Sequence, residues 1–176
     1  MALDFGIGGP LGLKNGRVAA ALATVLKRRG DEPGRVVAVG DELGRALGRV
    51  GLDVVCVSEV ERKKKKGIEQ VVAQLGALPF GDESVMAVFV AGALPAGIAA
   101  LTEFARVVHE GGMVAVATPG PTLGRKIEPP EVLAAQLLHA ALADIEQFDV
   151  GTTRVSAGTV RRWGRPVAQA LRPAGP

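Results

Sequence analysis

At 176 residues, 48% of them hydrophobic and 22% charged, the chain is long enough to bury one substantial core and fits a single domain. A formal net charge of only +3 does not by itself point to nucleic acid, although the charge is uneven, and a single cysteine, Cys56, excludes an intrachain disulfide. No signal peptide and no apolar run long enough to span a bilayer is legible, so a cytoplasmic location without membrane contact is expected.

The bias toward Ala, Val, Gly and Arg, with no Tyr and one Trp, resembles coding in a GC-rich genome, and a bacterial source is expected. Met1 to Pro10 carries the glycines and proline of an irregular lead-in. Its GIGG is not a phosphate loop, because no strand precedes it and no Lys-Ser/Thr pair follows. Val18, Ala21, Leu22 and Val25 fall at helical spacing and predict an amphipathic helix from Leu13 to Arg29, with Asn15 as candidate N-cap and Gly30 as its stop. Asp31 to Gly34 reads as a turn.

The organising stretch is Arg35 to Glu61, RVVAVGDELGRALGRVGLDVVCVSEVE. Val36 to Val39 and Val54 to Val57 are continuous apolar runs, as strands covered on both faces of a parallel sheet are. Leu43, Ala46, Leu47 and Val50 between them lie at helical spacing, which makes the unit βαβ. A small ligand would sit where Gly40 to Gly44 turns from the first strand into the helix.

After Val57 the link SEVERKKKKG is too short for a full crossover helix before IEQVVA reads as another strand. Either a stub of helix covers that face, which is the favoured reading, or Ile68 to Leu75 is itself the helix and the edge strand is missing. Leu78 to Ser84 is a turn-rich loop, Val85 to Ala91 a buried strand, and Gly92 to Gly97 a second loop on the ligand side. Ile98, Leu101, Phe104, Ala105 and Val108 predict a helix with Glu103 and Arg106 outside. Glu110-Gly111-Gly112 ends it, and Met113 to Thr118 is another strand. A proline- and glycine-rich loop runs from Pro119 to Pro130. Glu131 to Ala143 reads as a third helix, and Ile145 to Arg154 with Thr159 to Trp163 as an antiparallel edge hairpin turned by Ser-Ala-Gly. The chain then divides into a lead-in and helix over 1–34, a parallel βα core over 35–118, a helix and hairpin over 119–165 and a tail over 166–176.

Two segments carry a resemblance: LPFGDESVMAVFVAGAL and LTEFARVVHEGGMVAVATPG. With the order of the pieces from Val36 to Trp163, they resemble the class I S-adenosylmethionine-dependent methyltransferases, in particular the type 11 group. The resemblance implies an α/β Rossmann-like three-layer sandwich, its sheet mostly parallel with an antiparallel C-terminal hairpin. It also places cofactor contacts at Gly40, Gly44, Glu59, Gln74, Leu78, Pro79 and Phe80, if S-adenosylmethionine binds. Against the family pattern, Ala38 stands where an acid precedes the first glycine, and Glu42 stands at the middle glycine, where a Cβ narrows the space for a ligand. Ser58 stands at the ribose-binding acid with Glu59 one residue later, and Gln74 at the adenine-binding acid.

These departures lead to the expectation of a methyltransferase-like pseudoenzyme that takes no cofactor and acts as an interaction, scaffold or regulatory subunit. The alternatives are an active methyltransferase using S-adenosylmethionine, and a basic nucleic-acid-binding protein. The partner surface is expected at the basic run Arg62, Lys63, Lys64, Lys65 and Lys66 and at Arg161, Arg162 and Trp163, docking an acidic protein, a second copy or phosphates. The run is short of aromatic neighbours for base stacking. No nucleophile with a base beside it and no metal-ligand spacing is present; His109 and His139 lie far apart in sequence.

Overall fold

The computed structural model describes residues 11–29, 34–61, 63, 66–92, 97–119 and 129–162. These residues form α1 (Leu11–Arg28), β1 (Val36–Val39), α2 (Asp41–Arg49), β2 (Val54–Ser58), β3 (Glu69–Val72), β4 (Val85–Ala91), α3 (Ile98–Val107), β5 (Val108–Pro119), α4 (Pro130–His139), β6 (Leu142–Val150) and β7 (Thr153–Val160). The strands make one seven-stranded sheet in the order β3-β2-β1-β4-β5-β7-β6. The first four contacts in that order are parallel, and β7 runs antiparallel to both β5 and β6.

Alternation along the central strands sorts the core into two layers. Val37, Val57, Val88, Val90, Val114 and Val116 face Leu101 and Phe104 of α3 and Leu137 of α4. Ala38, Cys56, Phe89 and Ala115 face Val18 and Leu22 of α1 and Leu43 and Leu47 of α2. Helices on both faces explain why β1, β2 and β4 are unbroken apolar runs, with no polar face to show to water.

Several boundaries differ from the sequence reading, each for a local reason. Helix α1 begins at Leu11, so Asn15 lies inside it and caps nothing; Gly30 is outside the described residues. Ile98 opens α3 at 46% exposure instead of lining its buried face, which Ala100, Leu101, Phe104, Ala105 and Val107 supply. Glu110-Gly111-Gly112 does not precede β5 but lies inside it as a bulge: the partners advance from Val85 to Ala87 on β4 while running from Val108 to Met113 on β5. Both glycines are needed there. Gly111 has φ +83°, and a Cβ on Gly112 would stand 2.5 Å from the Met86 carbonyl oxygen.

Helix α4 stops at His139, and Leu142 belongs to β6 instead. The hairpin turns at Gly151 and Thr152, whereas Ser156, Ala157 and Gly158 sit within β7. Small residues suit that position, because β7 is interior to the sheet and a Cβ on Gly158 would meet Leu142 Cβ at 2.9 Å. The strand reading of Ile68 to Ala73 holds as β3, Glu69–Val72, and the alternative of a helix from Ile68 to Leu75 does not; the favoured stub of crossover helix is absent from the described residues between β2 and β3. Among the described residues no helix is long and apolar enough to cross a membrane.

Candidate functional site

The strand order reverses at β1, which is followed in sequence by β2 on one side and has β4 on the other. In an open parallel sheet the crevice for a ligand lies outside the carboxyl ends of the strands at this switch point. Gly40 occupies it with φ +117°, a backbone state that L side chains rarely adopt, and a Cβ built on it would be 4.0 Å from Ala91 Cβ at the end of β4. The Gly44 N–H donates to the Gly40 carbonyl at 3.0 Å and opens α2. Asp41 and Glu42 fill the first turn of that helix, where the macrodipole favours negative charge. The Glu42 carboxylate accepts from the Asn15 amide at 3.4 Å, so its side chain is drawn to α1.

Gly44 serves packing. A Cβ there would stand 2.1 Å from Cys56 Sγ on β2. The second glycine of the turn therefore sets how closely α2 lies on the sheet.

At the carboxyl end of β2 the polar groups bond one another. The Ser58 hydroxyl donates to the Val60 carbonyl at 2.8 Å, and the Ser58 carbonyl accepts the Ala73 N–H at 3.0 Å. Glu59 Oε1 accepts the Leu75 N–H at 3.2 Å. Gln74 is exposed, and its carbonyl closes a turn on the Ala77 N–H at 3.0 Å. Glu59 and the Gln74 loop are thus brought together beyond β2 and β3.

Leu78 is buried, Phe80 half-buried and Pro79 exposed. This segment is pinned to α3 by two residues expected to face solvent. Glu103 Oε1 accepts the Leu78 N–H at 2.7 Å, and Arg106 Nη2 donates to the carbonyls of Leu78 at 3.2 Å and Phe80 at 3.0 Å. Arg106 also binds Glu103 through Nε at 2.8 Å and reaches the Asp82 carboxylate. The hydrogen bond from Arg106 holds the Glu103 carboxyl below the usual carboxylate range, with the Leu78 N–H adding to it against the opposing effect of burial. Glu103 and then Asp82 push the Arg106 guanidinium higher. The signal for this clamp was the Glu-x-x-Arg spacing, which puts both side chains on one helical face.

No family model matches the sequence, and no curated protein matches it. Solved structures do. A Haloferax volcanii protein described as a methyltransferase, held in complex with the Trm112 methyltransferase activator, superposes with a TM-score of 0.65 at 16% identity over 86% of this chain and 93% of that one. A Thermotoga maritima protein described as an S-adenosylmethionine-dependent methyltransferase gives 0.61 at 19% identity over 83% and 91%. The [4+2]-cyclase SpnF gives 0.54 at 19% identity over 72% and 58%. The chain has the class I S-adenosylmethionine-dependent methyltransferase fold.

Within this methyltransferase fold, the expected partner residues separate into two groups. Lys63 and Lys66 are exposed beside β3, while Arg62, Lys64, Lys65 and Trp163 lie outside the described residues. Arg161 pairs with Asp144 at 3.3 Å. Arg162 works inside the molecule: Nη2 donates to the carbonyls of Ala105 and Arg106 at 3.4 Å and Val108 at 3.0 Å, and Nε lies 2.7 Å from Glu83 Oε1. Its backbone N–H donates to Glu110 Oε2 at 2.9 Å. A guanidinium over the last carbonyls of α3 opposes the negative end of that helix. Among the described residues no three His, Cys, Asp or Glu side chains gather to hold a metal ion.

Proposed function

We propose that this methyltransferase-fold chain does not take S-adenosylmethionine and acts through a protein partner as an interaction or regulatory subunit. The observation that carries the reading is the bonding at the end of β2. A bidentate hold on a ribose diol needs both oxygens of a carboxylate aimed at the ligand, and the bond from the Leu75 N–H draws Glu59 Oε1 toward the segment after β3 instead. The Ser58 hydroxyl, one residue earlier, is closed on the Val60 carbonyl. Two residues before Gly40, where the family pattern has an acid, stands the fully buried Ala38. These residues do not fit the cofactor. The Haloferax volcanii relative in fold, held with an activator protein, is a precedent for this architecture working in a heteromeric pair.

Thermal unfolding in the presence of millimolar S-adenosylhomocysteine tests the reading. A ligand at a hundred times its Kd stabilises by about 2.7 kcal/mol, a shift of several degrees; the expected result is no shift. A shift removed by Glu59→Ala would overturn the proposal.

One observation favours a second reading, an active methyltransferase. Gly40 keeps its positive φ and Glu42 leans toward Asn15, so the turn retains a shape that could receive a ligand. A positive thermal shift with both S-adenosylmethionine and its demethylated product is the outcome on which that reading stands. Nucleic-acid binding has weaker support, since of the described residues expected to meet a partner Arg161 and Arg162 are engaged within the molecule, which leaves Lys63 and Lys66. Retention of a short RNA at about 0.15 M salt, lost on Lys63→Ala with Lys66→Ala, would support it.

A further inference from the structure

We propose that the outer face of α1 and α2 binds the phosphate backbone of duplex DNA, without preference for sequence. This surface is distinct from the run at Lys63 and Lys66, and the inference does not rest on the reading of the preceding subsection.

The two helices lie side by side on one face of the sheet. Val18 and Leu22 of α1 and Leu43 and Leu47 of α2 share its core, and the Asn15 amide reaches Glu42 at 3.4 Å. They run the same way. After α1, Arg29 donates to the Thr159 hydroxyl, which lies level, through Met113 and Ala87, with Val36 at the start of β1. Helix α2 likewise leads from the end of β1 back toward the start of β2. Arg17 and Arg28 sit on one stripe of α1, about 16 Å apart along its axis. That is long enough to reach both phosphate rims of a groove about 12 Å wide.

This face lacks acids to answer its cations. Elsewhere the arginines are matched: Arg35 with Asp53 and Glu69, Arg106 with Glu103 and Asp82, Arg154 with Asp149, Arg161 with Asp144, and Arg162 with Glu83. Arg17, Lys27, Arg28 and Arg49 are exposed and Arg45 is half-buried. None of the five makes an ion pair with a described residue. Helix α1 contains no acidic residue. The unmatched acids on this side of the sheet are the buried Asp41, Glu42, which Asn15 holds, and Glu146, aligned with Ala157. They are fewer than the cations, and the described face is positive; Lys14, Asp31 and Glu32 lie outside the described side chains. The helix dipole favours Lys27, Arg28 and Arg49 in the last turns. It gives no such reason for Arg17 and Arg45, which stand in mid-helix.

The neighbours of these cations choose the ligand. Gly16, Ala20, Thr24, Gly48 and Val50 are the other exposed residues there. They supply no aromatic ring to stack an unpaired base. They supply no large apolar anchor for the centre of a protein interface or for insertion into a bilayer. The Thr24 hydroxyl is spent on the Ala20 carbonyl at 2.9 Å, so no free neutral donor meets the 2′-hydroxyls that distinguish RNA. Backbone phosphates ask only for cations, and guanidinium groups hold them in bidentate pairs.

The probe is a labelled twenty-base-pair DNA duplex, followed by fluorescence anisotropy. Binding is expected, equal for a second duplex of unrelated sequence, and weaker by on the order of a hundredfold between about 0.05 M and about 0.2 M salt. Arg17→Ala, Arg28→Ala and Arg45→Ala should each reduce the salt slope by about one, whereas Arg154→Ala on the opposite face should leave it unchanged. Alanine keeps helix propensity; if circular dichroism shows that Arg45→Ala alters the fold, the exposed Arg17 and Arg28 decide. No binding at about 0.05 M salt would overturn the proposal. So would binding lost with Lys63→Ala and Lys66→Ala but kept in the arginine variants, or tighter capture of an RNA duplex, a poly-glutamate peptide or phosphatidylserine vesicles. A chain that binds the duplex and also takes S-adenosylmethionine contradicts the preceding subsection and supports this one. A chain that binds neither contradicts this inference alone.

Discussion

Cys56 Sγ on β2 stands 2.1 Å from the point where Gly44 of α2 would carry a Cβ. The pair fixes the distance between the helix and the sheet beneath the candidate site. A glycine in a helix costs about 1 kcal/mol relative to alanine, and here the cost is offset by close packing.

Gly44→Ala is therefore expected to lower stability by about 1–3 kcal/mol despite its gain in helix propensity, because the methyl forces α2 off the sheet. Adding Cys56→Ala makes room for it, so the double variant should recover much of the loss. Urea unfolding of the two single variants and the double variant measures the coupling. A Gly44→Ala protein as stable as its parent would contradict the packing account.

The Glu103 clamp predicts a pH dependence. Its folded-state carboxyl is held below the ordinary carboxylate value by Arg106 and the Leu78 N–H. The stabilisation is therefore fully present above that ordinary value and is lost as pH falls through the lower folded value. Glu103→Gln should flatten the fall in urea midpoint below about pH 4.5. Glu103→Ala should cost about 1–3 kcal/mol near neutrality, by leaving the Leu78 N–H without its acceptor. An unchanged acid limb in Glu103→Gln would remove the clamp from the account.

Most of the architecture was legible in the sequence, because β1, β2 and β4 are buried on both faces and read as plain apolar runs. Boundaries failed where tertiary packing overrides local signals. Gly111 and Gly112 look like a stop but form a bulge, and Ser156 to Gly158 look like a turn but make a strand thin enough to sit between β5 and β6. Glu103 and Arg106 look like solvated charges until the loop before β4 folds back and presents its main chain to them. At the candidate site, Gly40 and Glu59 were visible by position. The Leu75 N–H that engages Glu59 comes from residues on another strand connection, which spacing does not reveal.

Arg162 was read as a partner contact, and the structure gives it an internal role. Arg162→Ala is expected to cost about 1–2 kcal/mol, through the loss of three carbonyl contacts and the favourable charge at the end of α3. Arg162→Lys should restore only part of this, because an ammonium cannot fan across the same acceptors. Arg161→Ala, which breaks a half-exposed pair, should change stability by no more than about 0.5 kcal/mol. Melting temperatures of the three variants give the comparison; equal effects at Arg161 and Arg162 would contradict it.

The reading of the cofactor end can also be tested by reversal. Glu42→Gly with Ser58→Asp supplies a turn without a Cβ and an acid at the ribose position. This variant is expected to gain a thermal shift with S-adenosylhomocysteine that the natural chain lacks. If neither protein responds, the obstruction lies elsewhere than at these two positions.

The most direct measurement is calorimetric titration of the natural chain with S-adenosylmethionine. We predict no heat of binding up to millimolar ligand. A saturable isotherm in the micromolar range, weakened by Glu59→Ala, would contradict the claim that the end of β2 is closed to the cofactor.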